Sequence, residues 1–175
     1  MNKEEKNIII NDLSGMLEQY PTVYITDTSS LTVAKTSQLR RLCFNKGVKM
    51  VVAKNKLIRK AMERANKDAY EPIFGSLKGT SAILFSEASN APAKLIKEFR
   101  KSGNKKPLLK GAFVDMSVFI GDDQLDTLAS LKSKNELVGD IIGLLQSPAR
   151  NVISALQSSG GKLAGIIKTL SERPE

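Results

Sequence analysis

The sequence predicts an α/β fold: a small mixed sheet with helices packed on it, followed by an all-helical C-terminal extension ending in a long protruding helix. Three observations predict it. Four β-rich runs, "TVYITD", "VKMVVA", "TSAILFS" and "LLKGAFV", alternate with segments of helical periodicity. From Asp122 onward only helical patterns remain. Charge also changes sign there: residues 112–147 hold six acids against two Lys, whereas residues 30–67 hold eleven Lys or Arg against one acid, Glu63. Strands alternating with helices imply crossovers on a sheet whose strand order the sequence leaves open.

Taken in order, residues 3–19 form a helix, because Ile9, Leu13, Met16 and Leu17 fall at helical spacing. A strand over 22–27 follows Pro21. The next helix, about 32–46, is closed by Gly47 at its C-cap. After the second strand, Asn55 caps a helix to about Lys67. The third strand leads to a helix capped by Ser89 or Asn90, with Pro92 in its first turn, and then to the fourth strand. Beyond it come a helix over about 122–131 and another from Ser133, where Ser133-Lys-Asn-Glu136 has capping-box spacing. A last helix starts at Ser147-Pro148. The expected division is a head over 1–132, a connecting helix over 133–146 and a C-terminal helix over 147–175.

Composition excludes much chemistry. The 175 residues carry a net charge of +9, with no His, no Trp and one Cys. Without imidazole there is no Ser-His-Asp site, and one thiol makes neither a disulfide nor a zinc site. Cys43, among Leu39, Leu42 and Phe44, reads as a buried structural thiol. "SGGKLAG" fails as a phosphate loop, since Leu156 stands where Gly is needed and Leu163 where Ser or Thr is needed. Asp122, Asp123 and Asp126 are ordinary first-turn partners of a helix dipole. No apolar run reaches the length of a membrane span and no signal-peptide core stands at the start, so a soluble cytosolic protein is expected.

The stretch "KMVVAKNKLIRKAMERA" carries the function-bearing signal. Five Lys or Arg fall within twelve residues from Lys49, where a strand hands over to a helix. On a helical wheel Lys56, Arg59, Lys60, Glu63, Arg64 and Lys67 share one face, with Leu57, Ile58, Ala61, Met62 and Ala65 opposite. Cations crowd a helix N-terminus whose dipole favours anions, an arrangement that suits a phosphate. A merely solvated basic face is the plain alternative. The crowding, within a region of +10 that also holds Arg40, Arg41, Lys46 and Lys49, favours nucleic acid. With three Tyr and six Phe, mostly at core positions, binding by phosphates and shape on folded RNA fits better than stacking of single strands. The candidate RNA-binding residues are Arg40, Arg41, Lys49, Lys54, Asn55, Lys56, Arg59 and Lys60.

The tail contains a quasi-repeat. Val152, Ile153, Ala155 and Leu156 recur eleven residues later as Leu163, Ala164, Ile166 and Ile167, with Gly160-Gly161 between. Eleven residues make three turns of an unstrained helix, so both segments present one face. One amphipathic helix packed on its own domain would explain either segment; two matched segments suggest two copies of a docking site. A membrane-surface helix is poorly supported, for the segment has no aromatic residue.

Over nearly its whole length the chain resembles the bacterial large-subunit ribosomal protein ten family, the stalk-base proteins, relatives of the archaeal and eukaryotic acidic P-zero protein. The resemblance rests on "LRRLCFNKGVKMVVAKNKLIRKA", "GTSAILFS" and "GAFVD…LDTLASLKSKNELVGDIIGLLQSP". It implies a structural constituent of the large ribosomal subunit in the cytoplasm, neither an enzyme nor a carrier of a cofactor or metal. It further implies a head bound to large-subunit ribosomal RNA beside large-subunit protein eleven, with Arg40, Lys54, Asn55, Arg59 and Lys60 at the RNA surface. The 148–170 helix would carry dimers of the acidic stalk protein (seven/twelve), which recruit translation GTPases. Val152, Ile153, Leu156, Leu163, Ile166, Ile167 and Leu170 would be the contacts, and two segments imply two dimers. Two positions depart from the family pattern: Lys56 stands where Thr is usual, and Lys78-Gly79-Thr80 where Gly-Pro-Thr is common. The alternatives are an RNA-binding regulator of translation and a protein-interaction adaptor with an oligomerising tail. An enzyme has only the α/β pattern behind it.

Overall fold

A computed structural model of the chain describes residues 2–101, 104 and 106–171; for 149, 155–157, 159–164 and 168–170 it describes the backbone alone. Two compact units divide the chain at Ser133. The first contains α1 (Lys3–Gln19), β1 (Thr22–Asp27), α2 (Val33–Asn45), β2 (Lys49–Val52), α3 (Asn55–Tyr70) and a 3-10 turn (Glu71–Ser76). It continues with β3 (Ala82–Ser86), α4 (Ala91–Lys101), β4 (Leu108–Val114), β5 (Ser117–Ile120), a short 3-10 turn (Asp122–Gln124) and α5 (Leu125–Ser130). The second unit is α6 (Lys134–Ser171).

The sheet has the order β2-β3-β1-β4-β5, and the pairings are antiparallel. The expected mixed sheet is therefore corrected. The β1–α2–β2 and β3–α4–β4 crossovers each skip one position, and each skipped position is filled by a strand of the other crossover. Parallel strands thus never lie side by side, as in interleaved split β-α-β units. The fifth strand was missed because its turn is inconspicuous. Asp115 and Met116 hold φ of 46° and 64° in a two-residue hairpin loop joining Val114 to Ser117, without the Asn-Gly or Asp-Gly pair that advertises such turns.

Alternation along the strands feeds two cores. Val23, Ile25, Ile83, Phe85 and Phe113 pack with Ile10 and Leu13 of α1 and Ile58, Ala61 and Met62 of α3. Tyr24, Leu84, Ala112 and Val114 pack on the other face with Leu39 and Cys43 of α2, Leu95 and Ile96 of α4 and Leu128 of α5. Leu109 joins this second core although it lies three residues before Ala112. The register shift between Ile25 and Thr26 explains it: Thr26 pairs with Leu109 and Ile25 with Gly111, leaving Lys110 bulged.

Local chemistry fixes the elements. Gly47, at φ +65°, ends α2 as expected. Val48 N–H bonds the Cys43 carbonyl at 2.8 Å and Gly47 N–H bonds that of Phe44 at 3.1 Å, the two bonds of a Schellman motif. Burial pushes the Cys43 thiol up to about 11, consistent with the structural thiol expected there. Phe44, an apolar neighbour of Cys43 in the chain, does not share its burial. It lies not in the core but 85% exposed.

Two charged clamps secure the loops. The Arg100 guanidinium donates to both Asp122 oxygens, at 2.9 and 2.5 Å, and to the Pro107 carbonyl, and Asp122 also accepts from Leu109 N–H. Lys106 and both donors of Ser29, N–H and hydroxyl, converge on Asp27. Hydrogen bonds from Arg100 hold the Asp122 carboxyl below the usual carboxylate range, against partial burial. Burial pushes Asp27 up, but its bonds from Ser29 and Lys106 outweigh this and hold it low.

The separate helix expected from Ser147-Pro148 is not seen: α6 runs unbroken for 38 residues with Pro148 inside it. Proline removes the N–H that would bond the Leu144 carbonyl, at a cost of about 3 kcal/mol.

Two outcomes follow for stability. Tyr24, fully buried, donates its hydroxyl to the Ser89 carbonyl at 2.7 Å. Tyr24→Phe orphans that acceptor and should cost about 1–3 kcal/mol in urea denaturation; an unchanged midpoint would contradict the bond. Because the Asp122 carboxyl is depressed in the fold, its contribution is complete above the ordinary carboxylate range and lost as pH falls through its folded value. Asp122→Asn should lower the urea midpoint at neutral pH and converge with the parent in acid, whereas an equal loss at both would exclude the linkage.

Candidate functional site

The fold divides the basic block. α2 covers one face of the sheet and α3 the other, while β2, the edge strand between them in sequence, carries Lys49. Arg40 and Arg41 are exposed on α2; Lys54, Lys56, Arg59 and Lys60 are exposed at the start of α3. The predicted set thus lies around the β2 edge rather than on one helix.

At α3 the apolar stripe docks as expected, with Leu57, Ile58, Ala61 and Met62 buried. The expected cap is corrected. Lys54, not Asn55, is the N-cap residue; its side chain makes no capping bond, and no acid occupies the first turn. Asn55 is the first helical residue, and its amide donates to the carbonyls of Leu77 at 3.0 Å and Gly79 at 2.7 Å. The loop before β3 crosses the helix start and needs donors for its carbonyls. Lys110, aimed by the β4 bulge, supplies the others: its ammonium bonds the carbonyls of Lys78 at 2.6 Å and Thr80 at 2.5 Å. Asn55 and Lys110 therefore pin the loop that carries Lys78 beside the α3 cations.

Arg59 is likewise engaged. Its guanidinium bonds Glu63 at 2.8 Å and lies 5.1 Å from the Phe74 ring centroid. Among the described residues no ion pair holds Lys54, Lys56 or Lys60. These three, with Lys6, border a groove of about 1040 Å³ whose floor includes Ile9 and Val51. The site therefore offers exposed ammonium groups around an uncapped helix start, where dipole and charge add in favour of an anion. Among the described residues no His/Cys/Asp/Glu cluster could hold a metal, and no helix is long and apolar enough to cross a membrane.

In α6, Val152, Ile153, Ile166 and Ile167 are exposed. The side chains of Leu156, Leu163 and Leu170 lie outside the described ones. Sequence reasoning missed a further segment. Ile141, Ile142, Leu144 and Leu145, all exposed, stand eleven residues before Val152, Ile153, Ala155 and Leu156. The motif therefore occurs three times: "DIIGLLQSPAR", "NVISALQSSGG" and "KLAGIIKTLSE". The signal was legible as "LLQSP" against "ALQSS", but the supposed break at Pro148 hid it. On one helix the copies are offset by about 20° and roughly 16 Å per step.

Comparison with known proteins gives the family. The family model described as ribosomal protein L10 matches residues 1–101. The chain belongs to the ribosomal protein L10 family. Relatives named large ribosomal subunit protein uL10 align along its length. That of Christiangramia forsetii is 57% identical over 173 residues, 99% of each chain. That of Flavobacterium johnsoniae is 52% identical over 165 residues, 94% of this chain and 96% of the relative. That of Amoebophilus asiaticus is 48% identical over 181 residues, covering both chains entirely. These L10-family relatives are named as ribosomal proteins, not enzymes.

The loop clamp is testable by itself. Asn55→Ala should speed amide exchange across Leu77–Ser81 by an amount equivalent to about 1 kcal/mol, leaving the middle of α3 protected. Unchanged exchange there would show that the loop does not depend on Asn55.

Proposed function

We propose that this chain is a constituent of the large ribosomal subunit whose head binds large-subunit ribosomal RNA beside protein eleven. Its α6 helix, on this reading, carries dimers of the acidic stalk protein (seven/twelve), and its place is the cytoplasmic ribosome. The observation that carries the RNA role is the α3 start: an uncapped, acid-free first turn under exposed Lys54, Lys56 and Lys60. Phosphate oxygens satisfy the orphan N–H groups and the ammonium charges together. Asn55 serves this surface by holding its loop, and Arg59 adds a charge already steadied by Glu63.

The apolar face of α6 supports the second role. Exposed Ile and Leu at eleven-residue intervals suit helix-in-groove docking of a repeated partner. Three copies on an unbroken helix support three dimers where the two-segment pattern suggested two.

Salt-titrated binding to a transcript of the large-subunit RNA tests the head. Lys54→Glu with Lys60→Glu should abolish binding at moderate salt while the melting temperature stays near that of the parent. Unchanged affinity would remove α3 from the interface. Val152→Asp with Ile153→Asp should release one stalk dimer and keep the rest; simultaneous loss of all would argue against separate segments.

A further inference from the structure

The outer face of α2 carries an unexplained aromatic. Phe44 is 85% exposed and Val33, eleven residues or three turns earlier, 84% exposed. Between them on the same face stand exposed Arg40 and Arg41, at i−4 and i−3 from Phe44. Leaving a whole Phe side chain in water forgoes about 1.5–3 kcal/mol that burial would give. The ring also stands on a fixed support. The Schellman bonds at Cys43 and Phe44 lock the last turn, and buried Leu39 and Cys43 lock the inner face. The Cα–Cβ bond that carries the ring is therefore held in place before any partner arrives.

We propose that Phe44 is a stacking platform for one unpaired base of the RNA, with Arg40 and Arg41 holding the phosphates on either side of it. The proposal rests on the RNA reading above and adds to it the structural feature of the RNA that is recognised. An acidic protein could also meet two arginines, but the composition favours RNA. α2 holds Lys35, Arg40 and Arg41 with no acid, and looped-out bases stack on an aromatic face or a guanidinium plane. Backbone phosphates alone would leave the ring without a role.

Stacking and charge separate by salt. Stacking a base releases no counterions, so its loss lowers affinity equally at every salt concentration, whereas loss of a phosphate contact flattens the dependence of log K on log salt by about 0.7–0.9. Full-length variants are titrated against the large-subunit RNA transcript over a salt series, with melting temperature as the folding control. Phe44→Ala should weaken binding about tenfold with the parent's slope, consistent with about 1–3 kcal/mol per stacked base. Arg41→Ala should weaken it and flatten the slope. Phe44→Tyr should bind like the parent, and Phe44→Leu like Phe44→Ala, because a leucine has no ring face. Parent-like affinity of Phe44→Ala, or a Phe44→Leu as good as Phe44→Tyr, would overturn the platform and leave RNA binding intact. No binding by the unchanged chain would overturn the RNA reading itself, and the platform with it.

Discussion

Strand β1 is enclosed on every side, and the arrangement of the head follows from that enclosure. Its residues Thr22 to Thr26 are buried, because β3 and β4 take its two edges and helices cover both faces of the sheet. A strand covered on both faces needs helices on each: the crossover helices α2 and α4 take one face, and α1 and α3 take the other. α2 and α3 therefore lie on opposite faces, although the two helices are joined only by the short edge strand β2. Basic residues contiguous in the chain end up on two surfaces meeting at that edge. The candidate surface is a product of strand order, not of the local charge run alone.

The legible and illegible parts of the fold separate along the same line. Elements that announce themselves by local periodicity were readable: α1, the buried stripe of α3, the strand "TVYITD" and the glycine stop of α2 at Gly47. What depended on distant partners was not. Nothing near β1 in the chain shows that β3 will insert between it and β2, so the sheet looked mixed. Asn55 has the side chain of a good N-cap, but the carbonyls of Leu77 and Gly79, more than twenty residues away, claim its amide. Phe44 sits among apolar neighbours in sequence, yet the helix turns Leu39 and Cys43 inward and Phe44 outward. The Pro148 signal misled in the other direction: a strong local breaker was absorbed by a helix that runs unbroken through it.

The candidate site was legible in kind but not in detail. The charges at α3 were correctly placed on an exposed face, and their crowding at an uncapped turn is what gives them meaning. The sequence did not show that Arg59 is steadied by Glu63 and Phe74, or that Lys110 on a β-bulge anchors the neighbouring loop. Such supporting contacts turn a run of cations into a surface of fixed shape, which recognition of folded RNA by shape requires.

Head and tail follow opposite physical rules. The head buries its apolar side chains and exposes cations; α6 exposes Ile141, Ile142, Leu144, Leu145, Val152, Ile153, Ile166 and Ile167 along its length. A helix that leaves so much apolar surface in water gains stability by being covered, and under the proposed function the eleven-residue repeat would set how many times it is covered. Co-expression with the small acidic stalk protein of the same cell, followed by native mass measurement of the purified complex, counts the covering copies directly. One chain with six copies is the expected result, three dimers on three segments. Four copies would contradict the third segment, and a chain recovered without any stalk protein would contradict the account of α6 as a docking helix.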